Sequence, residues 1–334
     1  MKRARILVLQ MKRIGDLILT APAIADLRGA FPEAEIVMVV AGNCVDLAEC
    51  FPGVTQVLRY DTGRVNAALW AAVSVGGWDV CLDFTGTDRA ALLTQLSGAK
   101  ERVGYRKFCG KSLRARAYTR LCEASVRELH TVAFHRALVA EVGAKKGGDE
   151  EGAAFGFKAG TRERVAEVMR ECGVRERYAI VHPGTARREK FWMAERWVEV
   201  VRYLKGAGCQ VVMTGTGVGL EAEDVATIRA EEGVVDLTGK LELSELAALM
   251  QGARVAIGVD SMAMHLAAMW KVPQVVLFGP TNPFHWRPLH ERAVVLVGGQ
   301  EGSVTAFEPR MKGGEMGQIT VKSVESAVSA LLEG

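Results

Sequence analysis

The chain has 334 residues, of which 49% are hydrophobic and 24% charged, with a formal net charge of +3. These values fit a globular protein with room for two domains, and the small charge gives no reason to expect nucleic acid as a partner. No apolar run approaches the roughly 20 residues that span a bilayer, and the apolar run after the basic start covers only residues 6–9, too short for a secretion signal. Seven cysteines, all before position 210 and none in a C-x-x-C pair, predict reduced thiols in the cytoplasm rather than disulfides or a zinc site.

In chain order, residues 6–9 predict a buried strand, followed by the loop Gln10-Met-Lys-Arg-Ile-Gly15 and by Asp16 at the head of a helix reaching about Ala30. Pro22 falls in that helix's first turns, where a missing N–H costs little. Strands are expected at 36–40, 54–59 and 78–84, and helices at 66–75, 89–96 and 127–142, the last with Val132, His135, Leu138 and Val142 on one side. Between them lies a basic run, Lys100, Arg102, Arg106, Lys107, Lys111, Arg114, Arg116 and Arg120, with no acid from Glu101 to Glu123. It reads equally as a docking surface for an anionic partner or as a mobile loop. The Gly-rich, charged stretch 144–152 is the best domain boundary.

A second alternation follows. Helices are expected at 161–172, around Trp197, Val200, Val201 and Leu204, at 221–229, from Ser244, and at 321–332. Strands are expected at 178–182, 210–214, 234–237 and 253–259, with a further strand and loop at 275–281, and residues 296–319 are Gly-rich and unassigned. Strand–helix alternation on this scale predicts two α/β, doubly wound domains.

Ligands of open α/β sheets bind beyond the carboxyl ends of the strands. The first half places Lys12, Arg13 and Asp16 there; the second places Thr185, Lys190, Glu221, Leu241, Asp260, Ser261 and Thr281. Asp260 and Ser261 stand where a strand runs into a helix, whose free N–H groups and dipole favour an anion such as a diphosphate. The same pair is also an ordinary helix cap, so both readings stay open. No Gly-x-Gly-x-x-Gly follows the first strand, and Gly215-Thr-Gly-Val-Gly219 has the wrong spacing, which argues against a hydride-transferring Rossmann enzyme. Walker loops and metal-ligand clusters are absent from the sequence.

The order and spacing of Gly15-Asp-Leu-Ile-Leu-Thr-Ala-Pro22, Asp83…Arg89, Arg102-Val-Gly104, His182-Pro-Gly-Thr…Lys190-Phe-Trp…Trp197, Asp236-Leu-Thr-Gly239, Asp260-Ser261…His265 and Phe278-Gly-Pro-Thr-Asn-Pro283…Trp286 resemble glycosyltransferase family 9. Its best-known members are the ADP-heptose:lipopolysaccharide heptosyltransferases, and the basic loop 11–16 looks most like the branch that adds a third, side-branch heptose. The resemblance implies a GT-B fold of two facing Rossmann-like domains. Residues 1–150 would hold the acceptor, 151–320 the nucleotide sugar, and the helix 321–334 would cross back to the first domain. It also implies an inverting transfer, without metal or cofactor, from an ADP-sugar to a lipid-linked oligosaccharide acceptor of the lipopolysaccharide inner core, at or near the cytoplasmic face of the inner membrane.

By the same resemblance Asp16 is the catalytic base. Lys190, Thr185, Ser261, His265 and the backbone after Asp260 would hold the diphosphate, Glu221 the ribose and Leu241 the adenine. Lys12, Arg13, Arg64, Arg89 and Arg102 are the expected acceptor contacts. Met262 and Ala263 stand where the family usually has glycine and often proline, which would reshape the phosphate seat. The family's Cys-rich stretch before the last helix is absent. The rival expectations are a transferase for another nucleotide sugar or acceptor, a non-catalytic nucleotide-sugar binder, and an epimerase or hydrolase of similar shape.

Overall fold

The computed structural model describes residues 4–110, 113–145, 155–175 and 177–333. It divides into two compact units, Met1–Gly156 and Phe157–Gly334. The chain thus passes from one to the other slightly later than the expected boundary, most of which lies outside the described residues, as does Lys111.

The first unit is built on a six-stranded parallel sheet: β1 Arg5–Gln10, β2 Glu35–Ala41, β3 Val54–Tyr60, β4 Val80–Asp83, β5 Glu101–Tyr105 and β6 Arg120–Cys122, in the order β3-β2-β1-β4-β5-β6. β1 is central because Ile6 to Leu9 are aliphatic on both faces, and all four are wholly buried, as expected of a parallel strand covered on both sides. The strand order reverses between β1 and β4, and β1 pairs with both neighbours, Ile6 opposite Ile36 of β2 on one side and Val80 of β4 on the other.

Three expectations change here. The single helix 16–30 is two helices, Ile14–Ile18 and Ala21–Ala30. Pro22 has no N–H to bond back to Ile18, so the first helix ends before it and the second starts with proline in its first turn. The helix expected at 127–142 is Thr131–Ala140, opened by His130, whose Nδ1 accepts from the Val132 N–H at 3.2 Å. The basic run is not one loop. It contains β5, a short helix Arg106–Cys109, a turn Leu113–Ala117 and the edge strand β6.

The second unit repeats the arrangement with β7 Tyr178–His182, β8 Gln210–Met213, β9 Val234–Asp236, β10 Val255–Val259, β11 Gln274–Phe278 and β12 Ala293–Val297. The order β12-β11-β10-β7-β8-β9 is the first unit's order read from the other edge. β12 was not expected. The Gly-rich segment after it is held down, with Asn282 Nδ2 donating to the Glu308 and Pro309 carbonyls, both at 3.0 Å. The close approach of this segment needs glycine at 313, where a Cβ would lie 1.8 Å from the Gly279 carbonyl oxygen. The last helix, Val321–Glu333, packs Val324, Ala327 and Val328 into the second unit's core beside Trp197 and Val275. No helix of the described residues is long and apolar enough to cross a membrane.

Candidate functional site

In the second unit the residues at the reversal of strand order, between β7 and β10, come together. The helix Met262–Met269 starts directly after β10, with Ser261 at its cap position. Ser261 does not cap it: its Oγ is buried and has no partner among the described residues. Asp260 turns instead to its neighbours. Its Oδ2 accepts from Lys190 Nζ at 2.6 Å and from Thr281 Oγ at 2.7 Å. The lysine arrives on the loop after β7 and the threonine on the loop after β11, so one carboxylate ties three strand ends together. One turn into the helix, His265 is buried and its Nδ1 is also unpartnered. Burial pushes its pKa down to about 4, and Lys190 adds to this, so the imidazole is neutral near pH 7. A cation, a helix N-terminus and two orphaned polar atoms thus meet at one strand end, an arrangement suited to an anion with several acceptor oxygens.

Glu221 organises the neighbouring loop. Its Oε1 accepts from the Gly217 N–H at 2.6 Å, from Thr216 Oγ at 2.7 Å and from the Thr216 N–H. Its Oε2 takes no hydrogen bond among the described residues and lies against Gly184, where a Cβ would be 1.6 Å away, so any side chain there would displace the carboxylate. Beneath it, His182 Nδ1 lies 2.9 Å from Thr214 Oγ, and burial lowers the His182 pKa to about 4. The Gly239 N–H donates to the Gly215 carbonyl at 2.9 Å, which brings the loop carrying the half-buried Leu241 beside the Glu221 loop. Thr185, half-buried, follows β7, and the half-buried Met262 takes the first helical position after Ser261.

In the first unit Asp16 lies in the short helix after β1. No side chain among the described residues donates to its carboxylate. Burial raises its pKa above the ordinary 3.8, against the pull of the Lys12 and Arg13 charges and of backbone N–H groups. The helix is held from behind: Thr20 Oγ donates to the Asp16 carbonyl at 2.8 Å and receives Gln10 Nε2 at 2.7 Å. His135 Nδ1 lies 3.1 Å from both Thr20 Oγ and the Leu19 carbonyl. Burial takes the His135 pKa down to about 3, so this support is uncharged. At the end of β4, Asp83 is wholly buried and accepts from Tyr118 Oη at 2.6 Å and from the Thr85 and Gly86 N–H groups at 2.8 and 2.9 Å.

Lys12 Nζ sits 4.9 Å from the centre of the Phe108 ring, and Lys107 Nζ lies 6.0 Å from the same ring. Neither has a carboxylate partner among the described residues, and repulsion from Lys12 and Arg127 adds to desolvation in lowering the Lys107 pKa. Arg13 is exposed beside them. Arg89 donates to Tyr60 Oη at 2.8 Å, and Arg64 is exposed on the loop after β3, so both stand at the carboxyl edge. Arg102 does not. It occupies the amino end of β5, and its guanidinium donates to the Ala117 and Ala99 carbonyls at 2.8 and 2.7 Å, a brace for the crossover. The expectation that it contacts the acceptor is therefore not supported by its position. Much of the basic run is likewise tied down, Arg106 by Glu123 and Arg114 by Asp88 and two carbonyls. Sequence reasoning missed Tyr118, Thr216 and the Gln10–Thr20–His135 support, whose contacts join distant positions or lie inside a loop without a motif.

Comparison with known proteins agrees with this architecture. The profile of Glycosyltransferase family 9 (heptosyltransferase) matches residues 66–312. Lipopolysaccharide heptosyltransferase 3 of Escherichia coli K12 is 24% identical over 302 residues, 85% of each chain. A family 9 glycosyl transferase structure from Veillonella parvula superimposes with a TM-score of 0.85 at 24% identity, covering 100% of this chain and 99% of that one. The Escherichia coli heptosyltransferase WaaC with ADP gives a TM-score of 0.77 at 22% identity, covering 98% and 99%. These solved structures confirm the expected GT-B fold of two Rossmann-like domains. The chain is a member of glycosyltransferase family 9.

Proposed function

We propose that the protein transfers heptose from ADP-heptose to an acceptor of the lipopolysaccharide inner core, with inversion and without a catalytic metal. The observation that carries this reading is the second unit's anion seat: Lys190 drawn to the helix start by Asp260, beside the unpartnered Ser261 Oγ and His265 Nδ1. A departing nucleoside diphosphate puts negative charge there, and donors already aimed at that point stabilise it without rearranging. Lys190 supplies the positive charge, Thr185 and the helix N–H groups neutral donors. Glu221 Oε2 accepts from the ribose hydroxyls, and Leu241 packs on the base.

Asp16 takes the proton of the attacking acceptor hydroxyl. A pKa raised by burial makes it a better base than a solvated carboxylate, while the Lys12 and Arg13 charges pull the other way and favour the ionised form. Lys12, Arg13, Arg64 and Arg89 offer charge to an anionic acceptor. The names of the relatives, a lipopolysaccharide heptosyltransferase and a heptosyltransferase holding ADP, support this choice of donor and acceptor. A lipid-linked acceptor of this kind places the reaction at the cytoplasmic face of a membrane.

The test is turnover with ADP-heptose and a lipopolysaccharide core acceptor, following ADP release and the anomeric configuration of the product. Transfer with inversion in the presence of a chelator is expected. Retention of configuration, or ADP release that needs no acceptor, would overturn the reading.

A further inference from the structure

The first unit carries a surface that the transfer chemistry does not use. Helix Ala67–Val75 has the sequence AALWAAVSV, with no charged residue. Its inner side, Leu69 and Val73, belongs to the sheet's core, yet Trp70 is 42% and Val75 83% exposed. Beside it, helix Asp88–Leu96 packs Ala90 and Leu93 into the same core. Its charges are confined to the first turn, and Leu92 and Leu96 face outward. The turn Leu113–Ala117 packs on that helix through Ala117 against Ala91, and Leu113 is 71% exposed. A surface helix ordinarily turns charged residues to water. Here two adjacent helices and a turn present a largely apolar layer whose charges are confined to the first turn of the second helix and to the arginines of the turn, larger than the isolated exposed side chains that a protein surface ordinarily shows.

The layer is bounded by cations at the end where the strands deliver Asp16. Arg64 precedes the first helix, Arg89 opens the second, and Arg116 lies in the turn. Arg64 and Arg116 have no carboxylate partner among the described residues, and Asp88, the acid of this surface, is taken by Arg114. An apolar layer containing a half-exposed tryptophan and edged by unpaired guanidinium groups is complementary to a bilayer with anionic headgroups. A second copy of the chain would bring the same cations, with its Asp88 already engaged by Arg114.

We propose that the outer face of helices Ala67–Val75 and Asp88–Leu96, with Leu113, docks on an anionic lipid bilayer. There it holds the first unit against the membrane in which a lipid-linked acceptor is anchored. The proposal rests on the acceptor reading above for its purpose, but not for its chemistry.

The experiment uses the full chain and extruded vesicles of phosphatidylcholine, with and without phosphatidylglycerol. Co-sedimentation is expected with the anionic vesicles, weaker with phosphatidylcholine alone, and falling as salt rises. Trp70→Glu and Leu96→Glu, both at outward positions, should each lower vesicle partitioning by roughly tenfold or more. Turnover on a delipidated, water-soluble acceptor should stay at the parent level. Binding should also blue-shift tryptophan emission, a change lost in Trp70→Phe. Vesicle binding unchanged by the glutamate variants would overturn the proposal. So would a self-associating protein that ignores vesicles and is dispersed by those same variants. Absence of transfer to the soluble acceptor, with vesicle binding intact and sensitive to Trp70→Glu, would sink the transfer reading and leave the docking face standing.

Discussion

Between β1 and β4 the first unit leaves Asp16 without a side-chain donor and buries a second acid, Asp83, under Tyr118 and two backbone N–H groups. At the matching reversal between β7 and β10, the second unit's Asp260 is spent instead on holding Lys190 and Thr281. The strand orders are the same and the chemistry is opposite. On the transfer reading proposed above, one edge accepts a proton and the other receives negative charge. The sheet fixes where loops converge, and the loop residues alone decide what happens there.

If the division of labour holds, the two edges can be broken separately. Asp16→Asn keeps shape and removes the base, so turnover should fall roughly 10²- to 10⁴-fold, the range of general base catalysis. The Kd for ADP, measured by calorimetry, should not move. A parallel loss of ADP affinity would show that the first unit's edge also serves the nucleotide. Lys190→Ala is the converse. Losing a charged donor to the diphosphate should raise the ADP Kd by about 10- to 100-fold, equivalent to about 1.5–3 kcal/mol. Unchanged ADP affinity would remove Lys190 from the donor site.

The two acids also differ in how many donors they can lose. Tyr118→Phe strips from wholly buried Asp83 its one side-chain donor among the described residues and should cost about 2 kcal/mol in chemical denaturation. Thr281→Val leaves Asp260 with Lys190, so about 1 kcal/mol is expected. The reverse ranking would mean that Asp83 does not depend on Tyr118.

The aliphatic runs made the fold legible. β7 falls at the expected residues 178–182, and β1 and β10 within a residue or two, because strands buried on both faces leave unbroken Val, Ile and Leu runs. β5 and β6 were hidden by charge: Glu101, Arg102 and Arg120 sit at strand starts, where arginine side chains reach backbone carbonyls or solvent instead of breaking the strand. β12, AVVLV, is an edge strand beside β11 that also bridges from Leu296 to Ser303, and it runs straight into Gly298-Gly299, so its apolar run merged with the loop that follows. The sequence placed Lys190, Asp260 and Thr281 at one edge, but not in contact. The lysine–aspartate pair spans 70 positions, and no local pattern reports it. The Tyr118–Asp83 bond is equally silent, being formed across 35 positions by a residue inside the basic run.

The smallest expected effect tests how the first edge is tuned. Burial raises the Asp16 pKa, while the positive charge of Lys12 opposes the rise, ahead of Arg13. On the proposed mechanism the carboxylate is the working form, so kcat/KM should fall as the pH drops through this raised pKa. Lys12→Met keeps the length of the side chain and removes the charge. The folded protein then holds the Asp16 proton more tightly, and the acid limb should move to higher pH. The limb should vanish from the residual activity of Asp16→Asn, which has no carboxylate to titrate at that position. A limb that stays in place in Lys12→Met would mean that solvent screens the ammonium from the carboxylate. A limb that moves to lower pH would remove Asp16 from the assignment, because losing a nearby positive charge raises the pKa of any acid beside it. Because Lys12 also stands over Phe108 beside Lys107, its loss should weaken acceptor binding. That change lowers kcat/KM at every pH and is separable from the displacement of the limb.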